Sequence, residues 1–415
     1  MRHVLGLKCV ICGAEYTPEQ VGYVCPRHGD EGILDVVYDY PSIRGGWSRG
    51  DLVESREFSM WRYRPLLPVE PDNLVPPLSV GWTPLYRVPR LEQTLGLMQV
   101  WLKDEGRNPT GSLKDRASAV ALAKAHEVGQ GRLVAASTGN AASSLAGLAA
   151  SMGMETVIFV PEKAPRAKLA QLLVFGATLV AVRGTYDQAF DLSLQATHRY
   201  GWYSRNTAYN PYLSEGKKTA ALEICEQLDW EAPDRIFVSV GDGCIIGGLW
   251  KGLRDLVALG FIERMPRLVG VQAEGSAALA VAWAAGTEEV QPIVPNTLAD
   301  SISVGLPRDR VKALRAVRET GGEFVTVSDG EILEAMRVLG REAGVFGEPA
   351  GVAGYAGLAK LARGGRIGAD ERVVVLVTGN GLKDVDSAMK AVGQPHRMEP
   401  TVTALEKLVR RLQLV

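Results

Sequence analysis

Lys114 lies in Gly106-Arg107-Asn108-Pro109-Thr110-Gly111-Ser112-Leu113-Lys114-Asp115-Arg116, where turn chemistry leads into a helix. Pro109 fixes one backbone angle and Gly111 opens conformations barred to other residues, so Asn108–Gly111 reads as a tight loop. Ser112 is placed to cap a helix whose body is Ala117-Ser118-Ala119-Val120-Ala121-Leu122-Ala123-Lys124. A lysine in the first turn is disfavoured as a cation, because the helix dipole favours anions there. Deprotonation is thereby eased, and a neutral amine can attack a carbonyl to form a Schiff base. Alone, the segment is equally a capped surface helix with a solvated lysine.

Two other segments suit anions. Val134-Ala135-Ala136 runs into Ser137-Thr138-Gly139-Asn140 and then the small-residue helix from Ala141, so free N–H groups point at whatever sits there. A carboxylate is a fitting occupant, although the four residues could also be an ordinary capped turn. The apolar run Ile236–Val240 ends in Gly241-Asp242-Gly243-Cys244-Ile245-Ile246-Gly247-Gly248. Its glycines let backbone wrap an anion such as a phosphate, and the next helix adds its positive end. The spacing matches neither a P-loop nor a dinucleotide fingerprint. Cys244 reads as a packed loop residue rather than a nucleophile, since no histidine is near it in sequence. At the N-terminus Cys9, Cys12, Cys25 and His28 form C-x2-C-x12-C-x2-H, which can offer three thiolates and an imidazole to a structural zinc ion. A vestigial ribbon without metal is the alternative.

The elements that must position these groups follow from pattern. Short apolar runs alternate with helical stretches, which implies βα units and mainly parallel sheets. Strands are expected at 100–105, 133–136, 156–160, 178–182, 235–240, 268–272, 323–327 and 373–377. Helices are expected at 141–152, 167–175, 186–198, 214–228, 246–259, 308–319 and 329–342. Residues 41–75 read as a Pro-, Gly- and Arg-rich linker from which Phe58, Met60, Trp61 and Tyr63 can pack on the main body. At 415 residues, with 46% hydrophobic and 22% charged content, the chain suits two folded domains or slightly more. A net charge of −1 argues against nucleic-acid or membrane-surface partners, and no apolar run matches a membrane span or a signal-peptide core. Five cysteines, three crowded into residues 9–25, point to a reducing cytoplasm rather than a disulfide framework.

The Lys114 segment resembles the cofactor-lysine segment of the fold-type-II pyridoxal-phosphate enzymes, and most of all that of the threonine synthases. The resemblance continues in order through Ser137–Asn140, Gly241-Asp242-Gly243, Phe346-Gly347-Glu348-Pro349-Ala350-Gly351 and Thr378-Gly379-Asn380-Gly381-Leu382-Lys383-Asp384, covering about residues 80–385. It implies an α/β, two-domain fold: a zinc-ribbon-like unit over 1–40, a larger domain over 41–120 and 211–395, a smaller one over 121–210, and a C-terminal helix over 396–415. It implies pyridoxal 5′-phosphate as cofactor, with Lys114 carrying it and moving protons. Asn140 would meet the 3′-oxygen, Gly241, Asp242, Gly243, Cys244 and Ile245 the phosphate, and Thr378 the pyridine nitrogen. Ser137, Thr138, Gly139 and Ala141 would take the substrate carboxylate. The implied reaction converts O-phosphohomoserine and water to threonine and phosphate in a homodimer. A serine/threonine dehydratase, another β-replacing enzyme, or a non-enzymatic sensor on the same fold are the alternatives.

Two positions depart from the resemblance. Threonine synthases commonly carry Asn-Pro-x-Arg before Glu-Gly-Gln-Lys-Thr, with the Arg on the substrate phosphate. Here the stretch is Asn210-Pro211-Tyr212-Leu213-Ser214-Glu215-Gly216-Lys217-Lys218-Thr219, so Leu213 stands at the Arg position. Ala141 stands where Thr is frequent. Lys217, Lys218, Arg166, Lys168 and Arg205 are the cations that could serve instead.

Overall fold

The computed structural model describes residues 3–164 and 166–414, and it contains three sheets. In the first, Val4–Cys9 pairs antiparallel with Glu15–Tyr16 and with Leu34–Tyr38. Leu34, Val36 and Tyr38 alternate inward along the last strand, the period-2 pattern of a half-buried ribbon. Cys9 ends the first strand, and Cys25 donates its N–H to the Gly32 carbonyl at 2.8 Å. Only glycine fits at 32, where a Cβ would lie 2.8 Å from Cys25 Cβ. The ligand atoms of Cys9, Cys12, Cys25 and His28 all lie within 4.8 Å of one another, and the buried His28 Nε2 has no partner.

The six-stranded sheet runs Glu323–Val327, Arg267–Ala273, Arg235–Ser239, Arg372–Val377, Gln99–Asp104 and Leu85–Arg87, parallel except at the last pair. Its central strands read as continuous apolar runs because helices cover both faces. The four-stranded sheet, Thr178–Val182, Glu155–Pro161, Arg132–Ala136 and Tyr203–Ser204, is wholly parallel. Its strands come from 132–204, between the strands ending at 104 and beginning at 235, so one sheet's chain interrupts the other's.

Between the sheets runs the helix Lys114–Glu127, buried from Asp115 to Ala125. Its alanines favour helix and let neighbours approach closely. It packs against Tyr212–Gln227 and Asn140–Ser151. At the tightest point a Cβ on Gly216 would lie 2.0 Å from the Arg116 carbonyl oxygen. No described helix is long and apolar enough to cross a membrane.

The expected strands are all present, but three helical expectations change. Ser112 does not cap: Leu113 is the N-cap residue, and the buried Ser112 hydroxyl is unpartnered. The entry is instead fixed by a bridge between Ser112 and Gly379 and by the Leu113 N–H donating to Thr378 O at 3.0 Å. Residues 41–75 contain the helices Tyr40–Gly46 and Arg49–Glu54 and a 3-10 stretch, Met60–Leu66. Met60, Trp61 and Tyr63 are buried there as expected, whereas Phe58 is exposed. The expected helix at 329–342 is α-helical over Asp329–Val338 and then a π-turn over Leu339–Ala343.

A buried ionic cluster joins these elements. Arg116 grips Glu105 (Nη2–Oε1 2.7 Å) and Glu223 (Nη1–Oε1 2.5 Å), and Lys103 Nζ lies 2.7 Å from Glu223 Oε2, all four side chains fully buried. Burial alone would raise the Glu223 carboxyl, but Arg116 and Lys103 outweigh it and hold it down at about 2. Arg116→Met leaves two carboxylates buried without their guanidinium, a change expected to cost about 3–5 kcal/mol. Urea unfolding followed by circular dichroism should show a clearly lower midpoint; an unchanged midpoint would contradict the role given to Arg116.

Candidate active site

Loops at the carboxyl ends of parallel strands are where such sheets expose backbone and hold ligands. Here Gln99–Asp104, Arg235–Ser239 and Arg372–Val377 are neighbouring strands, and Arg132–Ala136 belongs to the other sheet. The segments that follow them carry Lys114, Gly241–Gly243, Thr378 and Ser137–Asn140. Eight expected residues (Lys114, Asn140, Gly241, Asp242, Gly243, Cys244, Ile245 and Thr378) line one cleft. Ser137, Thr138, Gly139 and Ala141 are half-buried and outside its lining. They form the turn entering Asn140–Ser151, in which the Gly139 N–H donates to Ser137 Oγ at 3.1 Å.

Lys114 is the first residue of its helix and half-buried, and its ammonium has no hydrogen-bond or ion-pair partner among the described residues. Burial pulls it down to about 8, and the charges of Lys217 and Arg205 push the same way. That is the state sought for an amine that must react with a carbonyl. Asn140 donates from Nδ2 to Glu348 Oε1 at 2.6 Å. Glu348 is the N-cap residue of Pro349–Arg363, yet its side chain faces Asn140 instead of capping. Burial pushes its carboxyl up to about 7 against the hydrogen bond from Asn140. Gly379 makes this contact possible, since a Cβ there would lie 2.2 Å from Glu348 Oε1.

The glycine loop is built for backbone. Gly243 has φ +89°, and a Cβ on it would meet Ala313 Cβ at 2.7 Å. Gly243 is also the N-cap residue of the helix Cys244–Leu259, so the first amides of that helix lie at the cleft. Asp242 Oδ1 accepts from the Arg308 N–H at 3.2 Å, which leaves its amide as the group for the cleft. The Cys244 thiol is buried and pushed up to about 12 by that burial, which agrees with a packing role. The Thr378 hydroxyl lines the cleft and makes no hydrogen bond among the described residues. Thr207, Ser301 and Ile302 also line it and were not anticipated. Thr207 sits on a turn, and Ser301 and Ile302 on the short 3-10 stretch Asp300–Ile302, and the composition of neither carries a signal.

This donor set fits a phosphorylated aldehyde: an unpartnered amine of lowered pKa, a glycine-rich anion cradle beside a helix start, and an uncommitted hydroxyl in the same cleft. Residues 77–379 match the pyridoxal-phosphate dependent enzyme family. The threonine synthase of Methanocaldococcus jannaschii is 38% identical over 407 residues, 98% of this chain and 99% of that protein. That of Methanosarcina acetivorans is 39% identical over 405 residues, 97% and 98% of the two chains. The processed form of threonine deaminase isoform 2 from Solanum lycopersicum has the same fold, with a TM-score of 0.65 at 22% identity over 75% of this chain and 87% of that one. On the family match and the near full-length similarity, the chain belongs to the pyridoxal-phosphate dependent enzymes and, within them, to the threonine synthase family.

Proposed function

We propose that the chain converts O-phosphohomoserine and water to threonine and phosphate, using pyridoxal 5′-phosphate. The observation that carries the reading is the unpartnered Lys114 facing the glycine loop, Asn140 and Thr378 across one cleft, in a chain similar to threonine synthases over nearly its whole length. Lys114 would hold the cofactor, the amides of Gly241–Ile245 its phosphate, Asn140 its 3′-oxygen and Thr378 its ring nitrogen. The cofactor, when bound, supplies an electron sink for the substrate's amino-acid end. A neutral Thr378 hydroxyl does not enforce a protonated ring, which favours elimination and replacement over transamination.

The remaining work belongs to side chains and turns. Ser137, Thr138 and the amides up to Ala141 bind the substrate carboxylate at a helix start. Lys114 would take and return protons as general base and acid. Protons leave Cα and Cβ, phosphate leaves Cγ with the C–O electron pair, water adds at Cβ, and protons return at Cγ and Cα. The Asn140–Glu348 contact fixes the amide at its post. We assign residues 121–210 to a smaller domain that closes on the larger one to exclude water, in a homodimer. Small-angle scattering should show a dimeric mass and a more compact particle with a substrate analogue; a monomeric mass, or no compaction, contradicts the corresponding part.

Lys114→Ala should retain the cofactor through its phosphate and ring contacts and lose at least about 10³-fold in kcat, the size of a general-base effect. Wild type should release phosphate and threonine from O-phosphohomoserine in equal amounts. Ammonia and a 2-oxo acid from serine or threonine alone would make the chain a dehydratase instead. That second reading is favoured by one residue only, Leu213 at the position of a phosphate-binding arginine.

Cys9, Cys12, Cys25 and His28 are proposed to hold one structural zinc ion, supported by their proximity and the orphaned His28 Nε2. All four positions around the ion would be filled, so the site has no opening for substrate. Untagged protein should contain one zinc per chain by plasma mass spectrometry, and Cys12→Ser should lower both zinc content and thermal stability. Metal far below one equivalent would refute the site. The same content bears on a cytoplasmic location, because thiolates persist where thiols stay reduced.

A further inference from the structure

Two buried cations beside the cleft have more charge than partners. Lys217 is 1% exposed and makes no hydrogen bond or ion pair among the described residues. Arg205, also 1% exposed, donates from Nε to Ser118 Oγ at 3.0 Å and from Nη1 to Thr207 Oγ1 at 3.4 Å, while its buried Nη2 has no hydrogen-bond partner among the described residues. Thr207 lines the cleft. The Lys217 side chain leaves its helix beside Gly248, where a Cβ would lie 2.9 Å from Lys217 Cβ, next to the start of Cys244–Leu259. Both charges act on Lys114 and on Cys244, so they converge on the wall between the reactive amine and the glycine loop. Burying unpaired cations costs several kcal/mol, a cost a bound anion offsets.

The cofactor's phosphate already has the backbone cradle and the substrate carboxylate the turn Ser137–Ala141, so the anion left over in the proposed reaction is the substrate's phosphate. Leu213, one turn before Lys217, is buried among apolar residues and offers nothing to an anion. Lys217 lies four residues later, on the same face of the helix Tyr212–Gln227. Among the candidates whose side chains are described, Lys218 is committed to Glu215 (2.5 Å) and Asp255 (2.6 Å) and Arg166 is exposed; the side chain of Lys168 lies outside the described residues. We propose that Lys217, assisted by Arg205, is the cation that binds the substrate phosphate. This rests on the phosphohomoserine reading above.

The test uses holoenzyme, with inorganic phosphate as the calorimetric probe and L-threonine as a phosphate-free ligand read by cofactor absorbance. Lys217→Gln should keep stoichiometric cofactor and shift the L-threonine titration less than two-fold. Phosphate affinity and KM for O-phosphohomoserine should each weaken about 10- to 100-fold, the effect of one charge-assisted contact. Lys217→Arg should stay within about five-fold of wild type, and Arg205→Gln should fall in the same direction as Lys217→Gln. Phosphate affinity unchanged in Lys217→Gln overturns the proposal; loss of bound cofactor in that variant also overturns it, by assigning the charge to the cofactor's phosphate. Wild type that fails to turn over O-phosphohomoserine yet binds phosphate through Lys217 refutes the reaction and keeps the anion site. Turnover with Lys217-independent phosphate binding does the reverse.

Discussion

The grip of Arg116 on Glu105 and Glu223 is the interaction on which the rest of the site depends. It is two residues from Lys114 and ties the loop before that lysine to the helix Tyr212–Gln227. Glu223 also accepts from the Trp82 and Thr83 amides, at 2.7 and 3.2 Å, and from Lys103. Trp82 adopts φ +48°, an uncommon conformation for a bulky residue, and Arg62 stacks 4.2 Å over its ring. Such strain persists only where surrounding contacts over-determine it. The cluster is dense enough to do so, because every charge in it has an opposite charge in contact.

A second cluster docks the N-terminal unit. Tyr38 donates to Glu215 at 2.8 Å, Tyr40 to Asp255 at 2.6 Å, and Lys312 pairs with Asp35 at 2.5 Å. Lys251 adds a bond to the Val36 carbonyl and Arg315 one to the Val10 carbonyl. These partners sit on Tyr212–Gln227, Cys244–Leu259 and Arg310–Glu319, so the cysteine-bearing ribbon leans on the helix whose start forms the anion cradle. The ribbon's contribution is mechanical: it holds that helix from behind while the glycine loop faces the cleft.

Much of this was legible in sequence wherever one signal dominated. The strand at Arg372–Val377 holds a continuous apolar run, Val373–Val377, rich in valine, that no helix pattern competes with, and the glycine loop announced its role by composition. Pro349–Arg363 was missed because Gly351, Gly354 and Gly357 weaken helix propensity. The structure shows their use: a Cβ on Gly357 would lie 2.4 Å from Val271 Cγ2, so the helix lies on the sheet only because those positions are bare. Ser112 was misread because local capping chemistry is visible in sequence, while the competing bridge to Gly379 comes from far along the chain. Thr207 carries no local signal, and Arg205 could be named among the spare cations but not placed, since what a parallel strand ending at Ser204 delivers to the cleft is set by the fold.

The helix Tyr212–Gln227 explains why these separate features act together. Nearly every residue along it is buried, and its charged residues point three ways. Glu223 serves the hub around Arg116, Glu215 and Lys218 serve the N-terminal unit, and Lys217 stands unpaired beside the cleft. Gly216 lets the whole rod approach the Lys114 helix to backbone contact. A rod buried on all sides cannot rotate to relieve one contact without breaking the others. Lys217 is therefore held in place by the pairing of its neighbours, and its own charge is what the arrangement leaves over for a ligand.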